Sequence, residues 1–527
     1  MRALILALAV LALGVLRPTA AFASYAQIEG SGSTWSFTIV QQWIADVSAS
    51  GMQITFNNNG SSQGRKDFAN SVTDFGITEI PYQGTDPITH TADKSNRAYS
   101  YLPIVAGGTA FTYHINVGGK LYQNLRLSGE TIAKIFTNKI TNWNDPAITK
   151  DNNGHALPSL TIHPVVRSDG SGTTAQFTLW MAKTNPTLWK AYSGSAELTS
   201  QYPRKGAQIA ASGSDQVMNT ISSAAGNGTI GYVEYAYPLN AKYPVVKVEN
   251  KAGYFVQPTQ YNVAVALQHA KINTSNPSDP TTYLTQDLSG VYVAPEVQAY
   301  PISSYSYMII PTAANDQRMT TAKRQTLADF LSYSLCAGQA KAGPYGYSPL
   351  PLNLVQAGFD QVKKLKTADA AVDLSNRDVT QCKNPTFVAG NLKANHLAQI
   401  APKPEACDKV GAGPCGVTAA ATGGGTTTTS GGSGTTTGTT TTPTGGGGAA
   451  PGSSGVGTTT DPGTTGDGST TTVAAATGAT ANAIELSSAR TGDNRLFGVV
   501  AVAELLAVVL VPGLYVAWLR RRKGGVA

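Results

Sequence analysis

The amino-acid sequence predicts an α/β fold, and three observations carry that reading. Short apolar runs of strand length recur at Gln53–Phe56, Tyr101–Val105, Ala110–Ile115 and Leu160–Val166. Stretches with apolar residues at helical spacing lie among them, at Phe37–Val47 and Thr131–Phe136. Strand-like runs are followed by turns rich in Gly, Ser and Thr and then by a helical pattern, which is the order that builds helices onto a sheet. No internal repeat interrupts this order.

The folded part is expected to run from residue 24 to residue 403, with other kinds of chain at either side. Residues 1–23 read as a secretory signal peptide: Arg2 supplies a charge, Ala3–Leu16 is apolar, and Ala21-Phe22-Ala23 fits the small-x-small cleavage pattern. Residues 417–490 form a Gly/Thr-rich linker with too few large apolar side chains to offset the entropy of ordering. As a coil such a stalk would reach roughly 45 Å. Leu496–Leu519 is apolar apart from Glu504 and has the length of one transmembrane helix. Arg520-Arg521-Arg522-Lys523 follows, so 520–527 is expected to be a cytoplasmic tail, with the rest of the chain outside the membrane.

Composition excludes several functions. Charged residues make up 13% of the chain, about half the usual share of roughly 25%. Part of the net charge of +7 is the C-terminal basic cluster, and no basic run interleaved with aromatics points to nucleic acid. The histidines, His90, His114, His155, His163, His269 and His396, form no metal-binding cluster, so neither metal nor cofactor is expected. No segment reads G-x-x-x-x-G-K-[ST], which leaves a nucleotide P-loop unsupported. Cys336, Cys382, Cys407 and Cys415 allow three connectivities. Cys336–Cys382 with Cys407–Cys415 is the preferred one.

Three segments carry chemistry: Ile28–Trp35, Asn57–Gly64 and Val165–Thr174. Each is rich in Gly, Ser and Thr and precedes a helical pattern. The first turn of a helix leaves N–H groups unpaired, and its dipole favours negative charge. Glycine lets the backbone come close to a ligand, and hydroxyls add donors. In the third segment Arg167 adds a planar fork suited to a tetrahedral oxyanion, and Asp169 is placed to hold that guanidinium.

These segments, taken together, closely resemble the high-affinity phosphate-binding proteins that feed bacterial phosphate ABC importers. The family's G-x-G-x-T-aromatic loop matches Gly30–Trp35, and its G-S-S-x-G turn matches Gly60–Gly64. D-F-G-x-[ST]-[DE]-x-P matches Asp74–Pro81, and K-I-x-x-W-x-D matches Lys139–Asp145. R-x-D-G-S-G-T matches Arg167–Thr173, and G-x-I-G-Y-V-E-Y-A-Y matches Gly228–Tyr237. The likeness covers residues 25–365. It implies a two-lobed type II periplasmic-binding-protein fold, the Venus flytrap, with 24–105 and 299–403 in one lobe and 106–298 in the other. It implies phosphate contacts from Thr34, the Trp35 backbone and Ser61 in the first lobe. From the second it implies Arg167, Ser171, the Gly172 backbone and Thr173. The partners it implies are inorganic phosphate and importer permease subunits.

One position departs from the family pattern. The acceptor carboxylate is usually an aspartate, and here it is Glu79. Phosphate near neutral pH carries a proton and donates a hydrogen bond, whereas sulfate does not. A buried carboxylate therefore accepts from one and repels the other. Two rival readings remain at the level of sequence. A secreted phosphatase would use Ser171 or Thr173 as nucleophile and would need a base or metal beside it. A surface sensor or adhesin would reuse the fold on its stalk.

Overall fold

The computed structural model of the chain describes residues 25–375, 382–392 and 394–416. The signal segment 1–23, the linker 417–490, the apolar segment 496–519 and the tail 520–527 lie outside the described residues. No helix among the described residues is long and apolar enough to cross a membrane.

Eight strands form one mixed sheet. They are β1 (Ile28–Gly32), β2 (Ile54–Asn57), β3 (Phe75–Thr78), β4 (Tyr99–Tyr113), β5 (His163–Arg167), β6 (Ile209–Ala211), β7 (Thr229–Glu234) and β8 (Ser303–Pro311). Their spatial order is β6-β5-β7-β4-β8-β3-β1-β2. In the first lobe β1 lies parallel to β2 and β3; in the second, β5 lies parallel to β6 and β7. Every residue of β3, β4, β7 and β8 is buried, as expected where helices cover both faces of a sheet.

β4 joins the two halves. Tyr99–Gly108 pairs with β8, and Thr109–Tyr113 pairs with β7. The sequence pattern reads Tyr101–Val105 and Ala110–Ile115 as separate strand-length runs; the structure runs one strand through both. Gly107 and Gly108 are there for space. A Cβ on Gly107 would lie 2.6 Å from the Trp35 ring, and one on Gly108 would lie 2.5 Å from Pro258.

Side chains between β7 and β8 bond to their own segment and to the first lobe. Asn250 Nδ2 donates to the carbonyls of Val297 and Ala299. Gln286 Nε2 donates to the carbonyls of Glu79 and Tyr305 in the first lobe. The folded chain also continues past residue 403. Asp408 pairs with Lys247 at 2.7 Å, and Arg126 Nη2 donates to the Lys409 carbonyl at 2.9 Å. The disulfides are Cys336–Cys382 and Cys407–Cys415, the preferred pairing.

Four helices begin at the carboxyl ends of parallel strands, where open α/β sheets place their ligand crevices. They are α1 (Phe37–Ser48) after β1, α2 (Ser61–Ala69) after β2, α3 (Gly172–Thr184) after β5 and α4 (Gly213–Ser222) after β6. In α1, Ile39, Val40, Trp43 and Val47 form the buried stripe expected of an amphipathic helix.

Candidate functional site: an anion cleft between the lobes

The first turns of these four helices meet across the cleft. The Ser62 N–H donates to the Gly170 carbonyl at 3.1 Å. Thr34 Oγ1 and Ser214 Oγ share a hydrogen bond at 3.0 Å, and the Tyr237 hydroxyl donates to the Thr34 carbonyl. Asn58 Nδ2 donates to Asp215 at 3.1 Å. At the mouth, Thr199 Oγ1 donates to Asp86 at 2.8 Å and the Ser200 N–H donates at 3.2 Å. The lobes are therefore closed on each other. A cavity of about 710 Å³ at the mouth, with Lys66, Lys94 and Gln201 in its wall, lies outside the Ser62–Gly170 bond.

Arg167 ends β5 with its side chain almost fully buried. Its Nε donates to Asp169 at 2.7 Å and its Nη2 donates to the other carboxylate oxygen. The Gly213 N–H donates to Asp169 as well. Burial pushes the Asp169 carboxyl up, but Arg167 and the Gly213 amide outweigh it and hold the group below its ordinary value. Asp169 thus meets the Arg167 guanidinium with both carboxylate oxygens. Arg167 Nη1 reaches Ser214 Oγ at 3.4 Å, which links it to Thr34 across the cleft.

Ser171 caps α3, its hydroxyl accepting from the Thr174 N–H at 3.1 Å. That leaves its O–H free to donate. Thr173 Oγ1 is buried and has no hydrogen-bond partner among the described residues. An unsatisfied buried hydroxyl is costly and points to a ligand acceptor.

Glu79 follows β3 in the first lobe and is completely buried. Its Oε1 accepts from Ser33 and, at 2.9 Å, from Ser306; its Oε2 accepts from Ser61 at 2.7 Å. Burial raises its pKa; hydrogen bonds from Ser33, Ser61 and Ser306 and the charge of Arg167 oppose the rise without cancelling it. Gly172 of the other lobe stands directly over Oε2, where a Cβ would come within 1.9 Å. Ser61, Glu79 and Gly172 are thus brought together, and Arg167 acts on Glu79 through its charge. The Trp35 ring is buried against Tyr347, with centroids 5.7 Å apart, and the Trp35 carbonyl accepts from the Tyr347 hydroxyl.

Residues 18–337 match the model of the PBP superfamily domain. The chain belongs to that superfamily. Its relatives include the protein named phosphate-binding protein PstS of Xylella fastidiosa, 30% identical over 64% of this chain and 85% of the relative. PstS of Methanocaldococcus jannaschii is 31% identical over 64% of this chain and 86% of the relative. PstS 3 of Mycobacterium leprae is 28% identical over 62% and 83%. This PstS-like member of the superfamily also shows site residues that the sequence pattern left out. Ser214 lies in Ser212-Gly213-Ser214, a helix-opening segment of the same composition as the three singled out. Ser33 lies inside the first of those three. Ser306 lies mid-strand and carries no such signal.

Proposed function

We propose that this cleft clamps inorganic phosphate without covalent chemistry, and that the protein is an extracytoplasmic solute-binding protein serving an ABC importer. The observation that carries the ligand is Glu79, a completely buried carboxylate inside a cleft otherwise built to attract an anion. Four helix N-termini, Arg167 and the unpaired Thr173 hydroxyl all favour negative charge. A carboxylate in that company suits an anion that itself carries a proton. In this reading Arg167, Ser171, the Gly172 amide and Thr173 donate from one lobe, with Asp169 holding the arginine. Thr34, the Trp35 backbone, Ser61 and Glu79 complete the shell from the other. The names of the relatives support phosphate, and the family likeness supports permease subunits as partners.

The tether rests on sequence. Leu496–Leu519 with its basic flank would anchor the protein to the cytoplasmic membrane, and 417–490 would serve as the stalk. Titration of the purified protein with phosphate, followed by tryptophan fluorescence, tests the ligand: a saturable change is expected, and a flat trace would refute the reading. Fractionation of cells tests the tether. The full chain should sediment with membranes, and a chain ending at residue 495 should not.

A further inference from the structure

The hydrogen bonds at Glu79 are distributed unevenly. Each carboxylate oxygen offers two lone pairs. Oε1 receives two hydroxyls, from Ser33 and Ser306. Oε2 receives one, from Ser61, and faces Gly172 of the opposite lobe. Among the described residues, one acceptor position on Oε2, the oxygen turned toward the Arg167–Thr173 loop, receives no hydrogen bond.

Ser306 is aimed there by an irregularity in the sheet. The register between β8 and β4 shifts between Ser306 and Tyr307, where Ser306 faces Val105 and Tyr307 faces Pro103. Pro103 has no N–H to give the ladder, and bulges of this kind re-aim side chains. Gln286 secures the arrangement. Its side chain bonds both backbone groups of Tyr305, at 2.9 and 3.1 Å, and the Glu79 carbonyl at 3.1 Å.

We propose that Ser306 is a positioning residue for ligand selection: with Ser33 it saturates Oε1 of Glu79, keeps the carboxylate charged and leaves Oε2 as the single acceptor for a proton-bearing oxyanion. This rests on the phosphate reading above. The charged group acting on Glu79 is Arg167, itself paired with Asp169. The loops at Ser33 and Ser61 bring hydroxyls, and the tyrosines flanking Ser306, Tyr305 and Tyr307, stay neutral because burial pushes both up.

Losing one hydrogen bond to a buried carboxylate is expected to move its titration by about one pH unit, which is about 1.4 kcal/mol. Phosphate affinity of the full chain is measured by calorimetry from acid to alkaline pH for the natural protein, Ser306→Ala, Ser306→Thr, Glu79→Gln and the Ser306→Ala/Glu79→Gln pair. As pH falls, Glu79 takes up a proton and the acceptor is lost. Ser306→Ala should move this acid limb upward by about one unit. Ser306→Thr should restore the limb. In the Glu79→Gln background, Ser306→Ala should move nothing with pH. Phosphate's own titration is common to all the proteins and cancels. An unmoved limb in Ser306→Ala, or an equal shift in the Glu79→Gln background, overturns the proposal. Carbon-13 NMR of the Glu79 carboxyl in ligand-free protein separates the two readings. Protonation shifted upward in Ser306→Ala supports the positioning role even if phosphate gives no isotherm, an outcome that would refute the phosphate reading alone.

Discussion

In the second lobe the loop at Arg167–Thr173 is a surface of donors: a buried guanidinium, a helix first turn and two hydroxyls. In the first lobe the end of β3 carries a carboxylate, Glu79, wrapped in serine hydroxyls. Both loops sit at the carboxyl ends of parallel strands, so the fold treats them alike. The chemistry differs. Donors alone would hold any tetrahedral oxyanion, sulfate included. The acceptor in the other lobe adds a demand that the ligand supply a proton. In the proposed reading both lobes supply donors, the acceptor that identifies the ligand sits in the first lobe alone, and only closure joins it to Arg167.

Removing the acceptor should break this arrangement most severely. Glu79→Gln is expected to lower the phosphate-to-sulfate affinity ratio by about 10³-fold or more, since sites built around one polar contact discriminate by up to about 10⁴–10⁵. Competition calorimetry checks it, and an unchanged ratio would assign selectivity elsewhere. Arg167→Ala strikes the other lobe. It leaves Asp169 buried without its partner, a stability loss of about 3–5 kcal/mol, and takes a charge-assisted donor from the ligand, so phosphate and sulfate should both weaken by about 10²-fold or more, with a smaller change in their ratio than Glu79→Gln gives. The same titrations, with thermal unfolding alongside, separate lost binding from lost stability.

Closure itself is tested at Gly172. A methyl group there would collide with Glu79 Oε2. Gly172→Ala should hold the lobes apart and weaken binding by about 10-fold to 10²-fold, given an overpacking cost of about 1–3 kcal/mol. Small-angle scattering should show the more open form. The smallest effect belongs to the latch at the cleft mouth. Burial pushes the Asp86 carboxyl up, yet hydrogen bonds from Thr89, Ile88, Thr199 and Ser200 hold it below its ordinary value. A depressed carboxyl contributes stability that is complete above the ordinary carboxylate range and is lost as pH falls through the depressed value. Asp86→Asn should weaken phosphate binding by about fivefold to tenfold at neutral pH, on a hydrogen-bond scale of about 1 kcal/mol, and the deficit should shrink in strong acid.

Much of this was legible in the sequence because it depends on local chemistry. Gly, Ser and Thr beside a helical pattern mark a helix start, and the loops containing Thr34, Ser61 and Arg167 all proved to be such starts. The Arg167–Asp169 pair needed only a spacing of two. What escaped was decided by distant contacts. That Tyr101–Val105 and Ala110–Ile115 are one strand shows only once Trp35 and Pro258 are seen to press on Gly107 and Gly108 between them. Ser306 is one of three serines in β8, and only the pairing of β8 with β4 turns it, of the three, toward Glu79. The continuation of the fold to residue 416 rests on Arg126 and Lys247, nearly three hundred and about one hundred and sixty positions upstream of their partners, and no local pattern announces it.

The central claim is that the cleft recognises an anion by its proton. The most direct test is a pair of calorimetric titrations of the natural protein at neutral pH, one with phosphate and one with sulfate. Saturable binding of phosphate at micromolar concentration, with no sulfate isotherm under the same conditions, is the predicted result. Equal affinities, or sulfate bound more tightly, would contradict it.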